Sequence, residues 1–247
     1  MGTLNIAGRE FSTELVIFDK DGTLIDFKET WVGIIDNLIS AMSRHVPLTP
    51  NLKERVQIAL GISIEKKEID GCGPLAMGTF TECDALLTYC LYREGIRWDK
   101  AQGIVRSLGD EIFRSDIRRK NTRAAKGAIE MLTRLKSKGI RIAVATNDRA
   151  SDARSDMDSI GAGAYIDFVV GADSVNTSKP APDMVRKICD YFRIEPRHAV
   201  LIGDTVMDAM LGRNSGVQLS IGITGIVPKK VLEEHMDVVV DSLDEIM

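Results

Sequence analysis

Leu15-Val16-Ile17-Phe18-Asp19-Lys20-Asp21-Gly22-Thr23-Leu24 is the stretch on which the fold turns. Four apolar residues in a row read as a strand buried on both faces. Its C-terminal end delivers Asp19 and Asp21 to a sheet edge, where α/β folds bind their ligands. Side chains two apart on an extended strand point the same way, so both carboxylates can face one site. Gly22 then permits a sharp turn or a close approach of the backbone to a ligand. Two carboxylates that close do not both stay charged unaided; either one holds a proton or a cation sits between them. A hard divalent ion such as Mg²⁺ suits oxygen ligands and keeps open positions for water and phosphate. The competing reading is a solvated Asp-Gly turn after a core strand. A calcium loop of the EF-hand type fits poorly, because Gly22 falls fourth and Thr30 twelfth, where that loop needs glycine sixth and Glu twelfth.

At 247 residues the chain has room for one large α/β domain, or for a core with a smaller inserted domain. Hydrophobic content of 44% and charged content of 28% are those of a globular protein with a sizeable core. The net charge of −4 gives no electrostatic footprint for nucleic acid. The densest basic cluster, Arg118, Arg119, Lys120 and Arg123, reads as a solvated helix end near a linker. Cys72, Cys83, Cys90 and Cys189 form no C-x-x-C pair and read as reduced, mostly buried thiols. Met1-Gly2 does not continue as a myristoylation signal, because position 6 is Ile. With no visible signal peptide and no apolar stretch of spanning length, a cytoplasmic protein without membrane partners is expected.

Beyond the opening strand the pattern is helical for about a hundred residues. Helices are expected over 29–45, 52–60, 80–93 and 99–118, with an ordered, glycine-rich loop over 61–79 and no convincing strand. Trp31 and Trp98 read as core anchors of this helical insert, and His45, His198 and His235 as solvated or packed. From residue 124 helices alternate with short β-rich runs. Strands are expected at 140–146, 168–171, 199–203, 217–223 and 238–240, and helices at 126–138, 149–160, 182–192, 205–214 and 228–235. Residues 3–11 suggest a small edge hairpin. Such βαβ units imply a Rossmann-like, mainly parallel sheet with helices on both faces, interrupted by an all-helical insert.

The chemistry lies in the residues just past each core strand, since those positions converge on one sheet edge. The second strong strand ends Thr146-Asn147-Asp148, where a hydroxyl and backbone N–H groups can hold a phosphate oxygen or merely cap a helix. Ser178-Lys179-Pro180-Ala181-Pro182 presents a cation on a proline-framed entry to a helix, suited to phosphate or simply to the surface. Gly203-Asp204-Thr205-Val206-Met207-Asp208 supplies another strand-end carboxylate and a second one turn later, for metal ligation or for capping.

In this order the four segments resemble the motifs of the haloacid dehalogenase-like (HAD) superfamily of phosphoryl-transfer enzymes. Asp19-Lys20-Asp21-Gly22-Thr23 matches the first motif, Thr146 the second, Lys179-Pro180 the third, and Gly203-Asp204 with Asp208 the fourth. The resemblance covers residues 15–25 and 124–247. It implies an α/β catalytic core of residues 1–25 and 124–247 and a helical cap of the C1 type over 26–123. By that resemblance Asp19 is the nucleophile that forms an aspartyl-phosphate, and Asp21 the acid that protonates the leaving oxygen and then activates water. Mg²⁺ is held by Asp19, the main-chain carbonyl of Asp21 and Asp204, with Asp208 behind them. Lys179, Thr146, Asn147, Gly22 and Thr23 balance charge on the transferring oxygens. Relatives that dehalogenate lack the second acid, so Asp21 points to a phosphatase or a phosphomutase. Asp148 departs from the pattern, standing where many relatives carry a non-acidic residue, and an exposed position is expected for it.

Gly71-Cys72-Gly73-Pro74-Leu75 occupies the place where caps of this kind touch the leaving group, in a segment like that of phosphoglycolate phosphatases. An interhelical turn is the plainer alternative. A cap that closes by hinges at 24–28 and 119–125 implies a small phosphorylated metabolite as substrate. The function implied is Mg²⁺-dependent hydrolysis of a small phosphate monoester. A sugar phosphomutase and a non-catalytic binding protein are the alternatives, and either a monomer or a homodimer is compatible with the pattern.

Overall fold

The computed structural model describes residues 2–6, 8–113 and 116–247. The chain divides into two compact units, Met1–Phe27 with Arg123–Met247, and Lys28–Thr122.

The first unit opens with β1 (Gly2–Ile6) and β2 (Arg9–Thr13), an antiparallel pair, followed by β3 (Leu15–Phe18). The second unit contains most of α1 (Phe27–Met42), then α2 (Pro50–Leu60), β4 (Ile62–Ser63), β5 (Glu68–Ile69), α3 (Pro74–Met77), α4 (Phe80–Arg93), α5 (Trp98–Phe113) and α6 (Asp116–Asn121). The first unit resumes with α7 (Ala128–Ser137), β6 (Arg141–Ala145), α8 (Ala150–Ser159), β7 (Phe168–Val170), α9 (Asp183–Phe192) and β8 (Ala199–Gly203). It ends with α10 (Val206–Ser215), β9 (Leu219–Ile223), α11 (Lys229–Glu233) and β10 (Val238–Val240).

Six strands form a sheet in the order β10-β9-β8-β3-β6-β7, and every neighbouring pair is parallel. All four residues of β3 and all five of β8 are buried, as strands covered by helices on both faces must be. The two-residue alternation sorts the core into two layers. Leu15 and Ile17 join Ala143, Leu201 and the α9 residues Met184, Val185 and Ile188. Val16 and Phe18 join Val144, Ile202, the α7 residues Met131, Leu132 and Leu135, and Met157 of α8. Strand order reverses direction at β3, because β6 lies on one side of it and β8 on the other. That reversal opens a crevice at the C-terminal ends of the strands, and β3 points directly into it.

The chain leaves and re-enters this unit through two crossings bonded to each other. Ile25 and Ala124 form an antiparallel bridge, Asp26 N donates to Arg123 O at 2.9 Å, and Ala125 N donates to Leu24 O at 2.9 Å.

In the second unit Trp31, Ile34, Ile35, Leu38, Ile39 and Met42 are buried along α1, the spacing of an amphipathic helix. Thr49 caps α2 through its hydroxyl, and Thr79 forms a capping box with Glu82 on α4. The segment expected as a loop over 61–79 contains the β4–β5 pair and the one-turn α3. The helix expected over 99–118 is seen as α5 and α6, and residues 114–115 within it lie outside the described residues. Two expectations need correction. Trp98 is 47% exposed and edge-on to Tyr92, so it does not anchor a core. Arg118 is buried, with its guanidinium 5.8 Å from the Trp31 ring and 5.9 Å from that of Phe80, so the basic cluster is not wholly solvated.

Candidate active site

Asp19 is the first residue past β3, and its N–H still donates to Ile202 O at 2.8 Å, so the ladder with β8 fixes its backbone. Its carboxylate Oδ1 accepts from Lys179 Nζ at 2.5 Å. The same ammonium donates to Asp208 Oδ1 at 2.6 Å. Asp208 is itself held, because its Oδ2 accepts from the Thr205 hydroxyl at 2.6 Å and from Thr205 N at 3.1 Å. Thr205 and Asp208 thereby form a capping box at the start of α10, which ties the ammonium to the helix rather than to a flexible loop.

Asp204 differs from its neighbours. It is completely buried, and neither carboxylate oxygen has a hydrogen-bond partner. Burial pushes its carboxyl well above the ordinary range, and the charges of Asp19 and Asp208 push the same way. Asp19 is raised to about 7, chiefly by burial; Lys179 opposes the shift, while Asp208 and Asp21 add to it. Burial works against the charged form of Lys179, but Asp19 and Asp208 outweigh it and hold its ammonium above the usual lysine range. Carboxylate oxygens of Asp19, Asp204 and Asp208 lie within 4.8 Å of one another. Three carboxylates around one ammonium leave uncompensated negative charge, and Asp204 brings two buried oxygens that bond to nothing. That donor set fits a hard divalent cation.

Gly22 makes room for this arrangement. Its φ is +88°, and a Cβ there would lie 1.9 Å from Asp204 Oδ2, so no other residue places its backbone against that carboxylate. Thr23 is buried with its hydroxyl unpaired, and Asn147 Oδ1 is likewise buried without a partner. Thr146, at the end of β6, is buried, and its Oγ1 accepts from Asp148 N at 3.1 Å. Asp19, Lys179, Asp204 and Asp208 thus come together from three separate stretches of sequence. Gly71, Cys72 and Gly73 lie in the second unit between β5 and α3, where Cys72 N donates to Asp70 Oδ1 at 2.9 Å in a tight turn, and Pro74 and Leu75 are the first two residues of α3.

Sequence reasoning missed Lys20 and misplaced Asp148. Lys20 is completely buried, and its Nζ lies 2.6 Å from Asp21 Oδ2, 2.8 Å from Asp156 Oδ2 and 3.0 Å from Asp148 Oδ2. Asp148, expected to be exposed, is therefore buried, because an ammonium offsets its charge. The parity of the strand was the available signal. Residue 20 follows Val16 and Phe18 onto the layer that receives α8, and α8 carries Asp156.

Comparison with known proteins agrees with this architecture. A phosphoglycolate phosphatase of Nitrosococcus oceani is 27% identical over 238 residues, covering 94% of this chain and 94% of its own. A protein of Dickeya dadantii described as a probable phosphatase, IndB, is 27% identical over 236 residues, covering 94% and 91% respectively. The crystal structure of a HAD-superfamily hydrolase, subfamily IA, from Geobacter sulfurreducens superposes with a TM-score of 0.65 at 18% identity, covering 94% of each chain. The family profile for haloacid dehalogenase-like hydrolases matches residues 13–216, from the end of β2 through α10, and the chain belongs to that family.

Proposed function

We propose that this protein is a Mg²⁺-dependent phosphatase that removes phosphate from a small-molecule monoester through an aspartyl-phosphate on Asp19. The observation that carries the reading is the Asp19 carboxylate at the switch point of the sheet, bonded to buried Lys179 and close to the unpaired carboxylate of Asp204. Asp19, the main-chain carbonyl of Asp21 and Asp204 would hold the ion. Bound there, Mg²⁺ supplies charge neutralisation for Asp19 and for the phosphoryl oxygens.

The residues of the chain then divide the work. Asp19 must be ionised to attack, and the Lys179 ammonium favours that form against the burial that opposes it. As the Asp19 oxygen bonds to phosphorus, the bond from phosphorus to the ester oxygen breaks, and Asp21 gives that oxygen its proton. Asp21, now a carboxylate, takes a proton from the water that attacks the aspartyl-phosphate, which releases inorganic phosphate and restores Asp19. Lys179, the Thr146 hydroxyl and the backbone N–H groups of Gly22, Thr23 and Asn147 offset charge on the oxygens in flight. Asp208 acts on Lys179 rather than on substrate, since both its oxygens are already engaged.

The helical unit is assigned the part of a cap, with Gly71, Cys72, Gly73, Pro74 and Leu75 as the residues that select the leaving group. The phosphatase relatives support water, rather than a second sugar hydroxyl, as acceptor, and phosphoglycolate heads the substrates to try. The test is phosphate release from a panel of small monoesters with Mg²⁺ and with chelator. Asp19→Asn is expected to lower turnover at least about 1,000-fold, and an Asp19→Asn protein that retains wild-type turnover rejects the mechanism.

A further inference from the structure

Lys20 has no part in the chemistry of phosphoryl transfer, yet it is the most completely enclosed cation among the described residues of the core unit. A lysine with no exposed surface keeps its charge only where anions meet it, and three do. An ammonium has three N–H donors directed tetrahedrally. Three carboxylate oxygens lie within 3.0 Å of Lys20 Nζ, one each from Asp21, Asp148 and Asp156. Two of the three belong to rigid surroundings. Asp156 sits on α8, and the bond from Lys20 to its Oδ2 spans 136 residues of sequence. Asp148 is pinned at both ends of its peptide unit, since its N–H donates to Thr146 Oγ1 at 3.1 Å and its carbonyl accepts from Ala172 N at 2.8 Å. The third carboxylate, Asp21, lies in the turn after β3.

We propose that Lys20 is a positioning residue for proton transfer: Asp148 and Asp156 seat its ammonium, and the ammonium holds the Asp21 side chain in the orientation from which it protonates the leaving oxygen. Solvent alone would leave a carboxylate in a turn free to sample several rotamers, and misplacement by an ångström costs a proton-transfer step heavily. The clamp also joins the turn bearing Asp21 to the Thr146 turn through Asp148, so proton donor and phosphate-binding hydroxyl keep a fixed relation.

This inference rests on Asp21 being the proton donor, and the experiment separates the two. The quantity to measure is kcat/KM, which reports steps through departure of the leaving group. Two esters are compared: 4-nitrophenyl phosphate, whose leaving group departs without a proton, and the alkyl monoester that the wild-type protein hydrolyses fastest. Lys20→Met is expected to lower kcat/KM about 100-fold on the alkyl ester and only a few-fold on the nitrophenyl ester. Asp156→Asn, which removes one anchor but leaves Lys20 charged and hydrogen-bonded, is expected to shift the ratio of the two in the same direction by about 10-fold. It serves where Lys20→Met does not fold. Asp21→Asn sets the reference for full loss of the donor. If Asp21→Asn discriminates between the esters while Lys20→Met and Asp156→Asn lower both equally or neither, the clamp is purely structural and the proposal falls with the mechanism intact. If Asp21→Asn itself fails to discriminate, Asp21 is not the donor and both ideas fall.

Discussion

A carboxylate buried as completely as Asp204, accepting no hydrogen bond, costs the metal-free protein free energy that only a cation or a proton can return. Asp204→Asn removes that buried charge. The metal-free variant is expected to be more stable than wild type by about 1 kcal/mol, and to lack the rise in melting temperature on adding Mg²⁺ that the proposed function predicts for wild type. A variant less stable than wild type in chelator would contradict this account of the site. Gly22→Ala tests the same carboxylate from the other side. It forces a Cβ onto Asp204 Oδ2 and a side chain into a left-handed backbone, so a loss of about 1–3 kcal/mol is expected from denaturant titration. The positions of Asp19 and Asp204 at strand ends were legible because short, wholly apolar runs precede each of them. Lys20 was legible only as to its face, from the parity of the strand. A charge between two aspartates reads as a solvent-facing turn until the helix that meets it is known, and Asp156 is remote in sequence.

Among the elements, α10 carries more than its length suggests, since its first turn holds both the capping hydroxyl of Thr205 and the carboxylate that seats Lys179. Thr205→Ala is expected to cost about 1 kcal/mol of stability, the usual worth of an N-cap. It should also lower kcat with little change in KM, because Asp208 then loses its restraint while the substrate contacts persist. Loss of stability with unchanged kcat would reduce the capping box to a purely structural device. The core strands were readable in advance because each is a buried run, and the parallel sheet follows from their alternation with helices. The β4–β5 pair was not readable. Two-residue strands have no periodicity, and Gly61, whose φ is +72°, with the bond from Asp70 N to Gly61 O, closes that turn through the tertiary fold. The burial of Arg118 was hidden for a similar reason, since its aromatic partners Trp31 and Phe80 lie far from it in the chain.

For the molecule as a whole, the raised carboxyls set how stability follows pH. Asp19 titrates near 3.8 when free and at about 7 in the folded protein, and Asp204 moves in the same direction. Between those values the folded state binds more protons than the unfolded one. The contribution of Asp19 is therefore fully present below about pH 4 and is lost as pH rises through about 7, and Asp204 contributes in the same sense. On the proposed function Mg²⁺ takes the place of those protons, and its stabilising effect should then grow with pH. Calorimetry with and without Mg²⁺ is expected to show a melting-temperature rise several degrees larger at pH 8 than at pH 5. A rise independent of pH would mean that these carboxylates do not bind the ion.

The hydrogen-bonded crossings at Leu24 to Asp26 and Arg123 to Ala125 have a consequence for how such a protein changes over time. To the sheet, everything between them is one hairpin loop whose two stems are already paired. The entropy of closing a loop rises only slowly with length, by about 0.6 kcal/mol for each doubling. A different insert, longer or shorter, can therefore be spliced between the same stems without disturbing β3 or the residues at its end. The sheet unit behaves as a socket and the helical unit as a replaceable fitting, and on the proposed function such an exchange would alter the substrate without redesign of the sheet.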